Sequence, residues 1–304
     1  MESKPSSIKT SSEKKEYSVN QYEQISQTAF PVAYARTFSD IPYAQEVFNE
    51  FKALRGIDDN SLFTGSPYRV NLAAQFEARQ KLIDKLVHLS NSKQILELAS
   101  GLTTRGLEMT QNPDLTYIET DLPAMLEEKK KIVISLTEKE VVPMRTNLQF
   151  TPANALILAE LEEATKEFNS GEPITVVNEG LLRYLNFEEK AVVAKNILTL
   201  LRKYGGVWIT PDISSMRLIA EDAQVAKRRL EGLSGLAGRD LSKNLFEGPA
   251  EAITFFENLG FSVESHSFKE VQGDLVSPQR LGIPPEEVDE VLRNAVTFVL
   301  RPRI

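Results

Sequence analysis

Cysteine is absent from this 304-residue sequence, and histidine occurs only at His88 and His266. Without cysteine there is no disulfide, no thiolate metal site and no cysteine nucleophile. Two histidines exclude a histidine-rich zinc site and leave a histidine base two candidates. Long apolar runs are also missing: no stretch approaches the roughly 18 residues that a membrane-spanning helix needs. Residues 1–20 are rich in Ser, Lys and Glu and carry no hydrophobic segment of the kind that directs secretion. Nor is there a basic excess. A net charge of −8 and a pI near 5.1 disfavour a protein that works by gripping phosphate backbones.

What remains is the composition of an ordinary globular protein, 41% hydrophobic and 26% charged. The length suits one large α/β domain or two smaller ones. The mixed charges of residues 1–20 read as a disordered tail. No internal repeat is visible, and a cytoplasmic location is the default expectation.

The most informative stretch runs from Gln94 to Gly106. An apolar run, Ile95–Leu98, contains the acid Glu97, passes through the small residues Ala99, Ser100 and Gly101, and continues into a helical pattern from Thr104. Asp121 follows at the end of a second strand-like run, Thr116–Thr120. A strand, a small-residue turn, a helix and an acid about 20 residues on is how a doubly wound sheet holds a nucleotide-like ligand. The turn lets backbone approach the ligand, and the acid accepts bonds from ribose hydroxyls. The turn is not GxGxxG.

Around this unit, strands and helices alternate. Patterns predict helices at Tyr22–Leu54 (broken at Pro31 and Pro42), Val70–Leu89, Thr104–Gln111, Ala124–Leu136, Leu156–Phe168 and Glu188–Lys203. Further strands are expected at Leu148–Thr151, Ile174–Asn178 and Val207–Thr210. Ile174–Asn178 is nearly continuous in apolar residues, as a buried parallel strand should be. After Asp212 comes a long helical segment, Met216–Leu245, with Gly232, Gly235 and Gly238. A helix at Pro249–Leu259, a strand from Gly260 and a last apolar run, Val296–Leu300, complete the pattern, the last two permitting an antiparallel hairpin at the sheet edge. The reading is α/β: a doubly wound, mainly parallel seven-stranded sheet in a single domain, 21–304. Its expected parts are a helical cap (21–90), a cofactor-binding core (91–213), a helical lid (214–248) and a C-terminal helix with edge strands (249–304).

With these elements placed, the chain resembles the leucine carboxyl methyltransferase family, from about Ser26 onward. Five segments carry the likeness: Ser26-Gln27-Thr28-Ala29 with Ala33, Arg36 and Asp40-Ile41-Pro42-Tyr43-Ala44; Arg79 with Asp84; Leu98–Arg105; Glu119-Thr120-Asp121-Leu122-Pro123 with Lys129; and Asn178–Leu185. The resemblance implies a class I methyltransferase fold, S-adenosylmethionine as cofactor and O-methyl transfer. It also implies roles. Arg79 would pair with the methionine carboxylate, Gly101 would lie against the cofactor with Ala99 and Ser100 in the turn, Asp121 would hold the ribose, and Glu179 would sit by the ammonium and sulfonium end. The family's acid for the adenine amine is replaced by Asn154, followed by Ala155, and asparagine can make the contact through its carbonyl. Ala99 and Thr103 also depart from the family turn, and Ala99 is tolerable there only if its φ is negative.

Several residues have two readings. Arg105 and Arg183 could clamp an anionic substrate in bidentate fashion, or form salt bridges to neighbouring acids. Asp121 could cap a helix, but its position favours ribose. Glu97 either supports the loop backbone or simply ends a strand. Glu179, at the end of an apolar strand, is too costly to bury unpaired without a site role. If the acceptor is a hydroxyl, Tyr184 or Glu179 would have to serve as base; a carboxylate acceptor needs none. His88 reads as a solvated helix end and His266 as structural. Glu127–Lys131 reads as an exposed helix face.

The expectation is thus an S-adenosylmethionine-dependent O-methyltransferase acting on a carboxylate or hydroxyl of a small molecule, an anionic one among the candidates, with no nucleic acid, membrane or metal involved. Methylation of a protein's C-terminal carboxylate, nicotinamide-dependent oxidation and cofactor binding without catalysis are the alternatives.

Overall fold

The computed structural model describes residues 29–57, 72–212, 227, 230–232, 234–235 and 240–303. The expected tail, the residues Ser26–Thr28 and most of the expected lid lie outside the described residues.

Seven strands make one sheet: β1 (Gln94–Leu98), β2 (Thr116–Asp121), β3 (Leu148–Pro152), β4 (Ile174–Asn178), β5 (Gly206–Thr210), β6 (Phe261–Ser267) and β7 (Val296–Pro302). Their order is β3-β2-β1-β4-β5-β7-β6. The first five pair in parallel, and β7 runs antiparallel to both β5 and β6. The terminal strand is therefore not the edge of the sheet, because β7 inserts between β5 and β6.

The helices before β1 are α1 (Ala29–Arg36), α2 (Ala44–Arg55) and α3 (Leu72–Ser90). Those that follow are α4 (Arg105–Met109), α5 (Pro123–Glu138), α6 (Leu158–Ala164), α7 (Phe187–Tyr204), α8 (Pro249–Asn258), α9 (Ser277–Leu281) and α10 (Pro285–Leu292). Pro31 does not break α1. It sits in the first turn, where a missing N–H costs nothing, and the break falls at Thr37–Tyr43 instead. The two short helices α9 and α10 are additions to the sequence reading.

The central strands β1 and β4 are buried along their whole length. Their side chains alternate between two cores, as a period of two requires. Leu96, Leu98, Ile118, Val176 and Trp208 face one side, with α7 and α8. Ile95, Tyr117, Val177 and Ile209 face the other, with α2, α3 and α5. Two local devices hold the site's strands in place. Asn186 and Glu189 form a capping box that starts α7 just after the β4 turn. Gly206 has φ +105°, and a Cβ there would lie 1.9 Å from the Ile174 carbonyl oxygen, so glycine alone allows β5 to pair with β4. No helix among the described residues is long and apolar enough to cross a membrane.

Candidate functional site

The chain winds outward from β1 to β3, then returns to β4 on the other side of β1. At such a reversal the loops leaving adjacent strands diverge and open a crevice at the strands' carboxyl ends. A cleft of about 140 Å³ lies there, room for roughly ten waters. Its lining comes from α1, α3 and the turns after β1, β2, β3 and β4. Of the twelve residues expected to bind cofactor or substrate, eleven line it: Arg79, Glu97, Ala99, Ser100, Gly101, Asp121, Asn154, Ala155, Glu179, Arg183 and Tyr184 are present, and Arg105 is not. Neither histidine lines it. His88 turns to the Asp84 carbonyl, and His266 lies between Glu264 and Glu270.

The turn after β1 is built on Asp121. Its two carboxylate oxygens accept the backbone N–H groups of Gly101 and Leu122, each at 2.7 Å. Burial pushes the Asp121 carboxyl upward, and these two bonds oppose that. Asp121 does not cap α5, whose cap position is Leu122. Gly101 has φ +50°, and Ala99, against expectation, has φ +52°. The alanine thus adopts the left-handed form despite its Cβ, strained where the family has glycine.

Arg105 is the second correction. Its side chain is fully buried beneath the cleft, and its guanidinium pairs with Asp84, Glu97 and, at 3.3 Å, Glu179. Burial opposes its charge, yet Glu97 and Asp84 lift its pKa well above the ordinary value. A guanidinium so engaged has no bidentate face for a substrate. Glu97 holds Arg105 and accepts from the Tyr117 hydroxyl at 2.8 Å. It supports that arginine rather than the loop backbone.

Glu179 lies at the centre of the charges. Arg36 pairs with it, Arg79 donates to it at 2.6 and 2.7 Å, and Arg105 reaches its other oxygen. Burial alone would raise its pKa, but the three guanidiniums outweigh burial and hold it down at about 2. The backbone that follows is pinned from β5. Asp212 accepts the N–H groups of Gly180, Leu181 and Leu182 and the amide of Asn178, at 2.6 to 2.9 Å. Arg183 and Tyr184 then face the cleft, with Tyr184 packed against Leu230 and Leu241.

On the β3 side, Asn154 does not keep its carbonyl free. The Leu156 N–H donates to it at 3.0 Å. Asn196 instead binds the Ala155 carbonyl from below, at 2.9 Å.

Three charged residues at or beside the site were not picked out from the sequence. Arg36 carried a family signal but no role, because its partner Glu179 is 143 residues away. Asp212 followed a recognisable strand and could have been found as an acid at a strand end. Lys129, expected on an exposed face, is buried and paired with Glu119.

Compared with known proteins, residues 34–198 match the sequence pattern described as leucine carboxyl methyltransferase. The chain belongs to the leucine carboxyl methyltransferase family. Membership of this family makes it a methyltransferase that uses S-adenosylmethionine. Among curated proteins, none matches the sequence. A solved DUF574 family protein from Streptomyces avermitilis is similar in fold: TM-score 0.56 at 14% identity, covering 91% of this chain and 97% of that one. An O-methyltransferase family protein from Burkholderia thailandensis gives TM-score 0.48 at 14% identity, covering 86% and 71%. Human N-acetylserotonin methyltransferase, in complex with SAM, gives 0.43 at 11% identity, covering 86% and 65%. In this leucine carboxyl methyltransferase family member the cleft's chemistry suits such a cofactor: buried cations and an anion at one end, an acid with open lone pairs in the middle, an apolar slot at the other.

Proposed function

We propose that the cleft holds S-adenosylmethionine and that the protein methylates a carboxylate of a small anionic molecule. Arg36 and Arg79 would take the α-carboxylate of the cofactor, Glu179 its ammonium, Asp121 its ribose and the Asn154–Ala155 turn its adenine. Two observations support the first pair: both guanidiniums line the cleft, and Nε of Arg36 is buried without a partner among the described residues. Asp121 spends one lone pair of each oxygen on backbone and keeps others for hydroxyls. Bound there, S-adenosylmethionine supplies an electrophilic methyl group on a sulfonium. The protein's part is then to hold the acceptor in line with it, which is where most of the catalysis can come from.

One observation carries the choice of acceptor. Each carboxylate of the described lining is already engaged: Glu97 by Arg105 and Tyr117, Asp121 by two backbone N–H groups, and Glu179 by three arginines. A hydroxyl acceptor needs a base within hydrogen-bond reach, and Glu179, held at about 2, is a poor one. A carboxylate arrives ionised and needs none. Arg183, at the cleft, suits its negative charge as a bidentate clamp.

The pH dependence of kcat/KM tests this reading. A carboxylate acceptor gives a flat profile from about pH 6 to about 9. A tenfold rise per pH unit over that range would mean that an acceptor proton must leave, and the carboxylate reading would be abandoned. Arg183→Ala should raise substrate KM about tenfold or more and spare cofactor affinity; unchanged kinetics would dispose of the clamp. The family's description favours a second reading, esterification of a protein's C-terminal carboxylate. Free acids and C-terminal peptides, assayed side by side, separate the two.

A further inference from the structure

The adenine end of the cleft has a polarity of its own. With the ribose at Asp121, the base lies toward β3, which flanks β2 on the side away from β1. Leu122, Met125, Ala153, Ala155 and Leu156 line the cleft together with Asn154. Asn154 is only 8% exposed. Its backbone N–H donates to the Glu160 carboxylate at 2.7 Å, and its side-chain oxygen accepts the Leu156 N–H at 3.0 Å. A backbone N–H can only donate, so Leu156 determines which end of the amide is oxygen. Nδ2 is then left buried and without a partner among the described residues. That nitrogen carries two N–H groups and no acceptor. A buried donor with nothing to bond is costly, and the element of the slot able to relieve it is a ligand.

We infer that Asn154 reads the cofactor's purine as a donor, bonding a ring nitrogen, and leaves the exocyclic amine unread. The amine is itself a donor, and two donors cannot bond each other. An aspartate at this position would behave in the opposite way. It would keep the bond from Leu156 with one oxygen and offer the other to the amine. Residue 154 thereby sets which edge of the purine the enzyme recognises. The inference rests on the cofactor placement proposed above.

The test compares S-adenosylhomocysteine with its 6-deamino analogue, which lacks the amine and keeps every ring nitrogen, by calorimetric titration. The parent protein should bind the two within about threefold of each other, whereas Asn154→Asp should favour the amine-bearing ligand by about tenfold or more. Among 1-deaza and 7-deaza analogues, one should lose about tenfold on the parent protein and little on Asn154→Asp. A parent protein that discriminates tenfold against the deaminated ligand overturns the inference, as does an Asn154→Asp variant with the parent's selectivity. Asp121→Ala, run alongside, reports on the placement itself. Unchanged affinity there overturns the placement, whereas a loss at Asp121 together with a discriminating parent protein overturns only the role of Asn154.

Discussion

Ala99 carries a side chain where the backbone turns left-handed, with φ +52°. For a residue with a Cβ that conformation costs roughly 1–2 kcal/mol. Ala99→Gly should therefore stabilise the protein by about 1 kcal/mol and raise Tm by roughly 2 °C. Denaturant titration and a thermal scan measure both, and a destabilised variant would mean that the Cβ contributes packing greater than its strain. Glu179 presents the reverse case, a side chain whose loss strands its neighbours. Glu179→Gln leaves Arg36 and Arg79 buried without their shared anion, and should cost about 3 kcal/mol. Folding stability within about 0.5 kcal/mol of the parent would show the arginines paired elsewhere. At this scale the sequence was half legible. Asp121 and Glu179 stand at strand ends, where polar residues invite a functional reading. The sign of φ at Ala99 and the burial of Arg105 depend on what packs above and beside them, and no local pattern reports that.

Between residues and the whole fold stand the turn after β4 and the pair of strands β1 and β2. Asp212 alone accepts three N–H groups and an amide from that turn. Asp212→Ala should release it, lowering stability by about 3 kcal/mol and loosening Arg183 and Tyr184 so that kcat falls. Unaltered protection of the Gly180–Leu182 amides in hydrogen exchange would contradict this. In the strands, Glu97 and Glu119 sit directly side by side. Burial pushes Glu119 upward; buried Lys129 opposes that only in part, Glu97 adds to it, and the carboxyl stands at about 7. A carboxyl more easily protonated in the folded chain stabilises it most below the unfolded value, and loses that contribution as pH rises through about 7. Glu119→Gln removes this titration, so its Tm relative to the parent should climb between about pH 4.5 and about 7 and level off above. A difference independent of pH would count against the buried titration. The strands themselves were legible because doubly covered parallel strands must be apolar along their length. The helices α9 and α10 were not, since short surface helices after prolines carry too few residues to show a period.

On the scale of the molecule, one sheet brings together side chains from α1, α3 and four separate turns. Ligand binding should then be felt as global stability. At a hundredfold excess over Kd, S-adenosylhomocysteine should add about 2.7 kcal/mol. A thermal shift that grows with ligand concentration in the parent and vanishes in Asp121→Ala would bear this out; an equal shift in both would mean that binding lies elsewhere. That the sheet is doubly wound and mainly parallel was legible from alternation; the order of its strands, β3-β2-β1-β4-β5 in the parallel part, came only with the fold. The insertion of β7 between β5 and β6 was not legible either, because edge pairing leaves no mark on a strand already buried.

The pairing of Arg36 with Glu179 has a consequence in time. The two residues are 143 positions apart, and a ribosome adding about 5–20 residues per second takes roughly 7–30 s to travel between them. Throughout that interval α1 is made but has no anion to close on. The emerging chain can form β1, β2 and the glycine turn, yet the cationic end of the cleft waits for β4 to leave the exit tunnel. Assembly of the pocket is therefore a late event of synthesis, and a nascent chain halted before Glu179 should capture no cofactor at all.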